Sequence, residues 1–216
     1  PAVIAITLAL AIMRMQKNKA LIRKLPAAET LGRTTVICTD KTVTLTEENM
    51  TVTKIYTGAD FYNIKDHSFF KDNKKIDPSR NFNIQQLMRI GILCNNAHME
   101  KDARGRIINV IGDPTEKSFL FSAEKAGFLK KAETEKETRI IEYSFSSKRK
   151  LMSIIRKNHE SLVSYVKGAP DILIKKCTKE YSNGRIIHLT DKRKRELISV
   201  YENMASQALR VLGFAY

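Results

Sequence analysis

The stretch Thr34-Thr-Val-Ile-Cys-Thr-Asp-Lys-Thr-Val-Thr-Leu-Thr46 changes character at its centre. Thr34 to Thr39 is a short β-branched run, which predicts a buried parallel strand. Asp40 to Thr46 clusters threonines and charge and suits a loop at a strand's carboxyl end, outside which ligands of open α/β sheets bind. A carboxylate placed there, Asp40, can attack the γ-phosphorus of a nucleoside triphosphate and hold the phosphoryl group as an aspartyl phosphate. The adjacent Lys41 ammonium can neutralise phosphoryl oxygens. Mg2+ is needed as well, because an anionic nucleophile and a polyphosphate repel one another. An Asp-Lys-Thr triplet on its own fits a solvated turn, so its meaning depends on the sequence around it.

Upstream, Pro1 to Met13 is apolar all round, and Arg14, Lys17, Lys19, Arg23 and Lys24 follow with no acid among them. The run is shorter than the roughly 20 residues that span a bilayer. It lacks the basic start and small-residue cleavage site of a signal peptide. A buried core helix and the cytoplasmic end of a membrane helix both fit it, and the basic cluster favours the second. Downstream, Met50 to Tyr56 predicts a strand turned at Gly58. The polar run 66–81, punctuated by Pro78, predicts an exposed loop. Ile84, Leu87, Met88 and Ile92 stand at helical spacing within 83–96. Arg104 to Ile111 reads as a strand, and Pro114 opens a helix that Gly127 ends. Leu151 to Lys157 and Leu162 to Lys167 predict a hairpin. Thr190 is the expected N-cap of a helix presenting Leu197, Ile198, Tyr201, Met204, Ala205 and Ala208 on one face. A last strand follows Arg210.

The 216 residues allow one large domain or two small ones. Lys and Arg number 38 against 23 Asp and Glu, and the resulting charge of +15 invites an anionic partner: nucleic acid, an acidic membrane or phosphates. Aromatic residues are only 7% and Trp is absent, which argues against extended base-stacking surfaces. Acids interleave with the basic residues, and no nucleic-acid fold signature is present. Cys38, Cys94 and Cys177 are far apart with no C-x-x-C pair, so neither a zinc site nor a disulfide framework is supported, and reduced thiols are expected.

Ile37-Cys-Thr-Asp-Lys-Thr-Val-Thr-Leu-Thr46 resembles the D-K-T-G-T-L-T phosphorylation signature of P-type cation-transporting ATPases. The likeness covers nearly the whole chain. Pro1 to Leu10 and Lys24-Leu-Pro-Ala-Ala-Glu-Thr-Leu-Gly32 resemble the family's fourth membrane helix and cytoplasmic stalk. Gly112-Asp-Pro-Thr-Glu116, Phe145-Ser-Ser-Lys-Arg-Lys150, Lys167-Gly-Ala-Pro-Asp171 and Ala208-Leu-Arg-Val-Leu212 resemble the nucleotide-domain motifs, in the expected order. The Cys-Pro-Cys of heavy-metal pumps is missing, and the resemblance is closest to the calcium-type, type II branch.

The resemblance implies an α/β chain: part of a Rossmann-like, haloacid-dehalogenase-like phosphorylation domain with an inserted α+β nucleotide-binding domain on an antiparallel sheet. The implied boundaries are 1–33 for the membrane-helix end and stalk, 34–50 for the first part of the phosphorylation domain, and 51–216 for the nucleotide domain. Asp40 is then the phosphorylated residue, with Lys41 on the phosphate. Mg2+ is held by Asp40 and the Thr42 carbonyl, and its remaining ligand lies outside these residues. In the nucleotide domain, Phe145 stacks on adenine and Glu116 lines the pocket near the base. Lys150 and Lys167 approach the nucleotide, Gly168 permits close approach, and Arg210 reaches the phosphates. The expected partners are ATP, the membrane at the N-terminal helix, and the rest of the same pump. Taken singly, Phe145 also fits a core position, Glu116 a helix first turn, Lys167 a strand-end solubiliser and Arg210 a surface ion pair. Lys148 and Arg149 read as a solvated charge run.

Two departures qualify the likeness. Val43 stands where the signature has glycine; a β-branched residue fits poorly where φ > 0 or a close phosphate is required, at a cost of about 1–3 kcal/mol. Impaired phosphorylation with retained nucleotide binding is therefore expected. The T-G-E actuator segment, the G-D-G-x-N-D hinge and the ion-site carboxylates are not among the 216 residues, so these residues alone are not expected to run a transport cycle. The resemblance points to Ca2+ as the cation moved, ahead of Na+, K+ or H+. The rival readings are a non-catalytic nucleotide-binding or regulatory remnant and, from another class, a basic nucleic-acid-binding protein.

Overall fold

The computed structural model describes residues 2–39, 50–66 and 68–216, and the chain divides into two units, Pro1–Glu48 and Asn49–Tyr216. In the first unit, α1 (Ala2–Lys17) runs without Gly or Pro and ends in Arg14 and Lys17, where cations meet the carbonyl end of the helix. No helix of the described residues is long and apolar enough to cross a membrane. α2 (Leu25–Gly32) carries Pro26 in its first turn, where a missing N–H goes unneeded.

The strand expected over Thr34–Thr39 does not form. These residues run without ladder pairing and are exposed, Val36 at 72% and Ile37 at 78%. A parallel strand needs a second strand beside it, and the described residues of this unit hold none.

The second unit opens with an antiparallel meander of β1 (Lys54–Thr57), β2 (Asp60–Lys65), β3 (Ser68–Lys71) and β4 (Lys74–Ile76). Much of the run expected to be a loop is thus a hairpin. Asp72 and Asn73, at φ +49° and +62°, make its two-residue turn in the twist that hairpins favour. Phe69 faces Ile76 across that hairpin and is buried, which repays ordering an otherwise polar segment. After a 3-10 turn at Pro78–Arg80 comes α3 (Phe82–Leu93), N-capped by the Asn81 side chain. A ribbon of β5 (His98–Lys101) and β6 (Ile107–Ile111) leads to α4 (Pro114–Lys125) and α5 (Lys130–Lys136). β7 (Thr138–Ser146), β8 (Leu151–Asn158) and β9 (Ser161–Gly168) follow as successive antiparallel strands. α6 (Pro170–Lys176), the ribbon β10 (Lys179–Ser182) and β11 (Arg185–His188), and α7 (Asp191–Ser206) precede β12 (Gly213–Ala215). β12 returns beside β9, giving a second sheet ordered β12-β9-β8-β7.

α3 is the centre of the unit because it is apolar on two faces. Ile84, Met88 and Ile92 pack with Ile55, Tyr62, Ile64 and Phe69 of the meander and with Phe119 and Ala123 of α4. Ile90, Leu93 and the following Cys94 pack with Met152, Ile154 and Tyr165 of the second sheet. Burial pushes the Cys94 thiol up to about 11, so it behaves as a small apolar side chain. Thr190 caps α7 as expected, its hydroxyl accepting from Arg193 N at 3.2 Å. Of the predicted apolar face, Met204 is buried, whereas Ala205 is exposed and Ala208 lies beyond the helix end.

A buried polar node joins α3 to the second sheet. The Glu137 carboxylate, wholly covered, pairs with Arg89 and accepts from Tyr165 Oη at 2.9 Å and Asn158 Nδ2 at 3.2 Å. Arg156, also buried, donates to Leu93 O at 3.0 Å and Glu137 O at 3.1 Å. Burial and the Glu137 contact raise the Tyr165 pKa, which keeps its hydroxyl a donor.

Candidate functional site

α4 delivers Glu116. Asp113 caps the helix, its Oδ1 accepting from Thr115 N at 2.9 Å, Pro114 occupies the first turn, and Glu116 follows where a carboxylate meets the positive helix end. The residue is 9% exposed, and both its carboxylate oxygens are engaged. Oε1 pairs with Lys167 Nζ, and Oε2 accepts from Asn96 N at 3.1 Å. Its main-chain carbonyl accepts from Asn95 Nδ2 at 3.1 Å. Neither the free first-turn acid nor the strand-end solubiliser describes this pair: the Lys167 side chain is only 12% exposed. An ammonium has three donors, and Glu116 occupies one of those of Lys167.

Gly168 lies beside Lys167 on β9, between Leu151 of β8 and Gly213 of β12. A Cβ here would stand 2.2 Å from Lys150 O, so the absence of a side chain is what lets the β7–β8 connection close on the strand. Lys150 O accepts from Ala169 N at 3.0 Å, and Lys150 itself takes φ +55° with its side chain exposed. Phe145, near the end of the edge strand β7, is 60% exposed, which excludes the core reading of its ring.

Arg149 is exposed, as expected of a solvated charge run, and its guanidinium is hydrogen-bonded as well. Its Nη2 donates to Tyr143 O at 3.0 Å, Ser144 O at 3.1 Å and Leu151 O at 3.1 Å, clamping the connection that carries Phe145 and Lys150. Asn95 and Asn96, which hold Glu116, are likewise unsignalled in the sequence. Short amide side chains after a helix read as ordinary loop chemistry.

Glu116, Lys167, Gly168 and the Lys150 main chain therefore meet in one place, and Phe145 shares their sheet. Arg210 is exposed in the segment between α7 and β12 and forms no ion pair among the described residues. It lines a different feature: a cavity of about 400 Å3 whose walls include Leu87, Leu173, Leu197, Met204 and Phe214 but not Glu116, Phe145, Lys150 or Lys167. The phosphorylation-loop residues Asp40, Lys41, Thr42 and Val43 lie outside the described residues, and with them the expected Mg2+ ligands. Among the described residues, no three His, Cys, Asp or Glu side chains gather to hold a metal.

Comparison with known proteins places these elements. Residues 83–216 match the family model for the P-type ATPase cytoplasmic domain N. Over its full length the chain is 38% identical to the calcium-transporting ATPase of Bacillus subtilis, covering 25% of that protein. It is 35% identical to the cation-transporting ATPase pma1 of Synechocystis, covering 24% of it. It is also 33% identical to the bovine calcium-transporting ATPase type 2C member 1, covering 23% of that relative. The chain thus spans about a quarter of the length of the curated relatives it matches. With the antiparallel sheets of mixed α/β architecture and this match across α3 to β12, the chain belongs to the P-type cation ATPases of the calcium type, and residues 83–216 carry their cytoplasmic domain N.

Proposed function

We propose that the Asn49–Tyr216 unit binds ATP against Glu116, Lys167 and Gly168, and that the whole protein is an ATP-driven cation pump of a membrane. The observation that carries the reading is the nearly buried Lys167 ammonium, held by Glu116 beside a glycine that no side chain could replace without meeting Lys150 O. Such a cation suits a polyphosphate, and the exposed Phe145 ring suits a purine face. Glu116 orients Lys167 and lines the base end, and Lys150 adds a second, exposed cation, whereas Arg210, on the wall of the separate cavity, is left out of the site.

In the proposed division of the chain, 1–33 forms the membrane-helix end and stalk, 34–50 begins the phosphorylation domain, and 51–216 presents the nucleotide. Asp40 attacks the γ-phosphorus, the bond to ADP breaks, and hydrolysis of the aspartyl phosphate by water completes the cycle. Mg2+, on Asp40 and the Thr42 carbonyl, would supply charge neutralisation in that transfer. Calcium is named for two of the relatives compared above and is the leading cation for this protein.

Binding of ATP to the 216-residue chain tests the first half. Phe145→Ala removes a stacking face and is expected to weaken affinity about tenfold or more, consistent with about 1–3 kcal/mol per stacked base. Lys167→Ala should have an effect of similar size. Unchanged affinity in both variants contradicts the site. A second reading, a nucleotide-binding remnant without phosphoryl transfer, rests on Val43 in place of the signature glycine. Labelling of the full-length protein with radioactive ATP separates the two: Val43→Gly should increase acid-stable label at Asp40, and equal robust labelling without the substitution rules out the remnant.

A further inference from the structure

Lys130, at the start of α5, is a half-buried lysine near Glu116. Its Nζ donates to Asn95 O at 2.6 Å and to Ala97 O at 2.5 Å, two carbonyls of one tight turn. That turn is itself tied: Asn95 Oδ1 accepts from Ala97 N at 2.8 Å. It also makes both contacts to Glu116 apart from the lysine, through Asn96 N on the carboxylate and Asn95 Nδ2 on the main chain. On its other side, Gly112 comes so close that an added Cβ would stand 2.7 Å from Ala97 Cβ. The turn is thus held between Gly112 and Lys130, with Glu116 hanging from its middle residue.

We propose that Lys130 is a positioning residue of the nucleotide site, whose ammonium fixes the Asn95–Ala97 turn and through it the Glu116 carboxylate that orients Lys167. The proposal rests on the nucleotide reading of that site. Lys130 acts through main-chain carbonyls and Glu116 rather than by touching the ligand, since its donors already point into the turn. A neutral side chain there leaves two carbonyls without their charged donor and frees the turn to move.

The surroundings give this role an electrostatic signature. Burial draws the Lys130 pKa down to about 8 from its ordinary 10.5. Of the charged groups that face it, Glu116 on α4 favours the ammonium, while Arg156 on β8, Lys167 on β9 and Arg139 on β7 oppose it. A polyphosphate arriving beside Lys167 adds negative charge to this balance and raises the Lys130 pKa. The ammonium is therefore partly lost above pH 8 in the free protein and restored by the ligand, so that ATP binding takes up protons in that range. Affinity for ATP falls as pH rises through about 8.

The test is calorimetric titration of the 216-residue chain with ATP from pH 6.5 to 9.5, in buffers of different ionisation enthalpy. Wild-type protein, Lys130→Met, Lys130→Arg and Phe145→Ala are compared, with circular dichroism of each to confirm folding. The expected result is a roughly tenfold loss of affinity in Lys130→Met at pH 7, equivalent to about 1.4 kcal/mol. Lys130→Arg, whose charge persists, should restore affinity and bind without the step near pH 8. Proton uptake should appear in the wild type and be absent from both Lys130 variants, and the wild-type measurement stands even if Lys130→Met does not fold. Loss of binding in Phe145→Ala, with affinity and proton uptake in the Lys130 variants like the wild type, overturns the proposal and leaves the nucleotide site standing. Failure of the wild-type chain to bind ATP overturns both.

Discussion

Replacing Glu137 by alanine is expected to destabilise the Asn49–Tyr216 unit by about 3–5 kcal/mol, the range for removing one member of a buried charge pair. The reason is the company it leaves behind. Arg156 is 4% exposed, and its guanidinium keeps its two main-chain acceptors but loses the nearby negative charge. Tyr165 and Asn158 lose an acceptor, and Arg89 retains only Glu133, at 3.3 Å. Because these groups come from α3, β8 and β9, the loss falls on the joint between α3 and the sheet that carries Lys167. Glu137→Gln, which keeps an acceptor for Tyr165, should cost clearly less. Chemical denaturation of the three proteins checks the order, and a Glu137→Ala loss below about 1 kcal/mol would show that the node is not supporting the joint.

Gly168→Ala is the second large effect, acting on stability and on the site together. The new Cβ would lie 2.2 Å from Lys150 O and 2.9 Å from Leu151 Cα, and both are main-chain atoms that cannot turn aside. The substitution must either part β8 from β9 or break the bond from Ala169 N to Lys150 O. A cost of about 3 kcal/mol, the upper end for overpacking, is expected. Lys167, the preceding residue, is displaced from Glu116 in either case, so ATP affinity should fall with stability. A variant that folds with wild-type stability and binds ATP normally would mean that the close approach at Gly168 is dispensable.

The hairpin of β8 and β9, the helices opened by Pro114 and capped by Thr190, and α3 were legible because each carries a local signal: alternation, a cap, or a 3.6-residue repeat. The β3–β4 hairpin was not. Lys71, Lys74 and Lys75 are three of its seven strand residues and break the apolar alternation, and its turn is Asp72-Asn73 rather than the Asn-Gly or Asp-Gly that announces such turns most strongly. β7 escaped because Ile140, Ile141, Tyr143 and Phe145 are largely exposed on an edge strand, so burial gives them no alternating pattern. The Thr34–Thr39 run shows the opposite error. Its β-branched composition reads as a strand, but a strand exists only with a neighbour to pair with.

The site divides in the same way. Glu116, Phe145, Lys150, Lys167 and Gly168 stand in short motifs whose order survives in the sequence. The residues that hold them, Asn95, Asn96, Lys130 and Arg149, act through main-chain carbonyls and amides. Such partners are chosen by the fold and leave no spacing to recognise. The +15 charge shows this well: Lys130 contributes to an apparent excess of cations, yet its ammonium is committed to two carbonyls inside the unit.

The central claim is that ATP is bound on the sheet β12-β9-β8-β7 against Glu116 and Lys167, rather than in the cavity among α3, α6 and α7. Amide chemical-shift mapping of the 216-residue chain during an ATP titration tests it most directly. Shifts should concentrate at Asn96, Glu116, Phe145, Lys150, Lys167 and Gly168, and in Lys167→Ala they should need about tenfold more ATP to appear. Shifts concentrated instead at Leu87, Leu173, Leu197 and Met204, or none at saturating ATP, would contradict it.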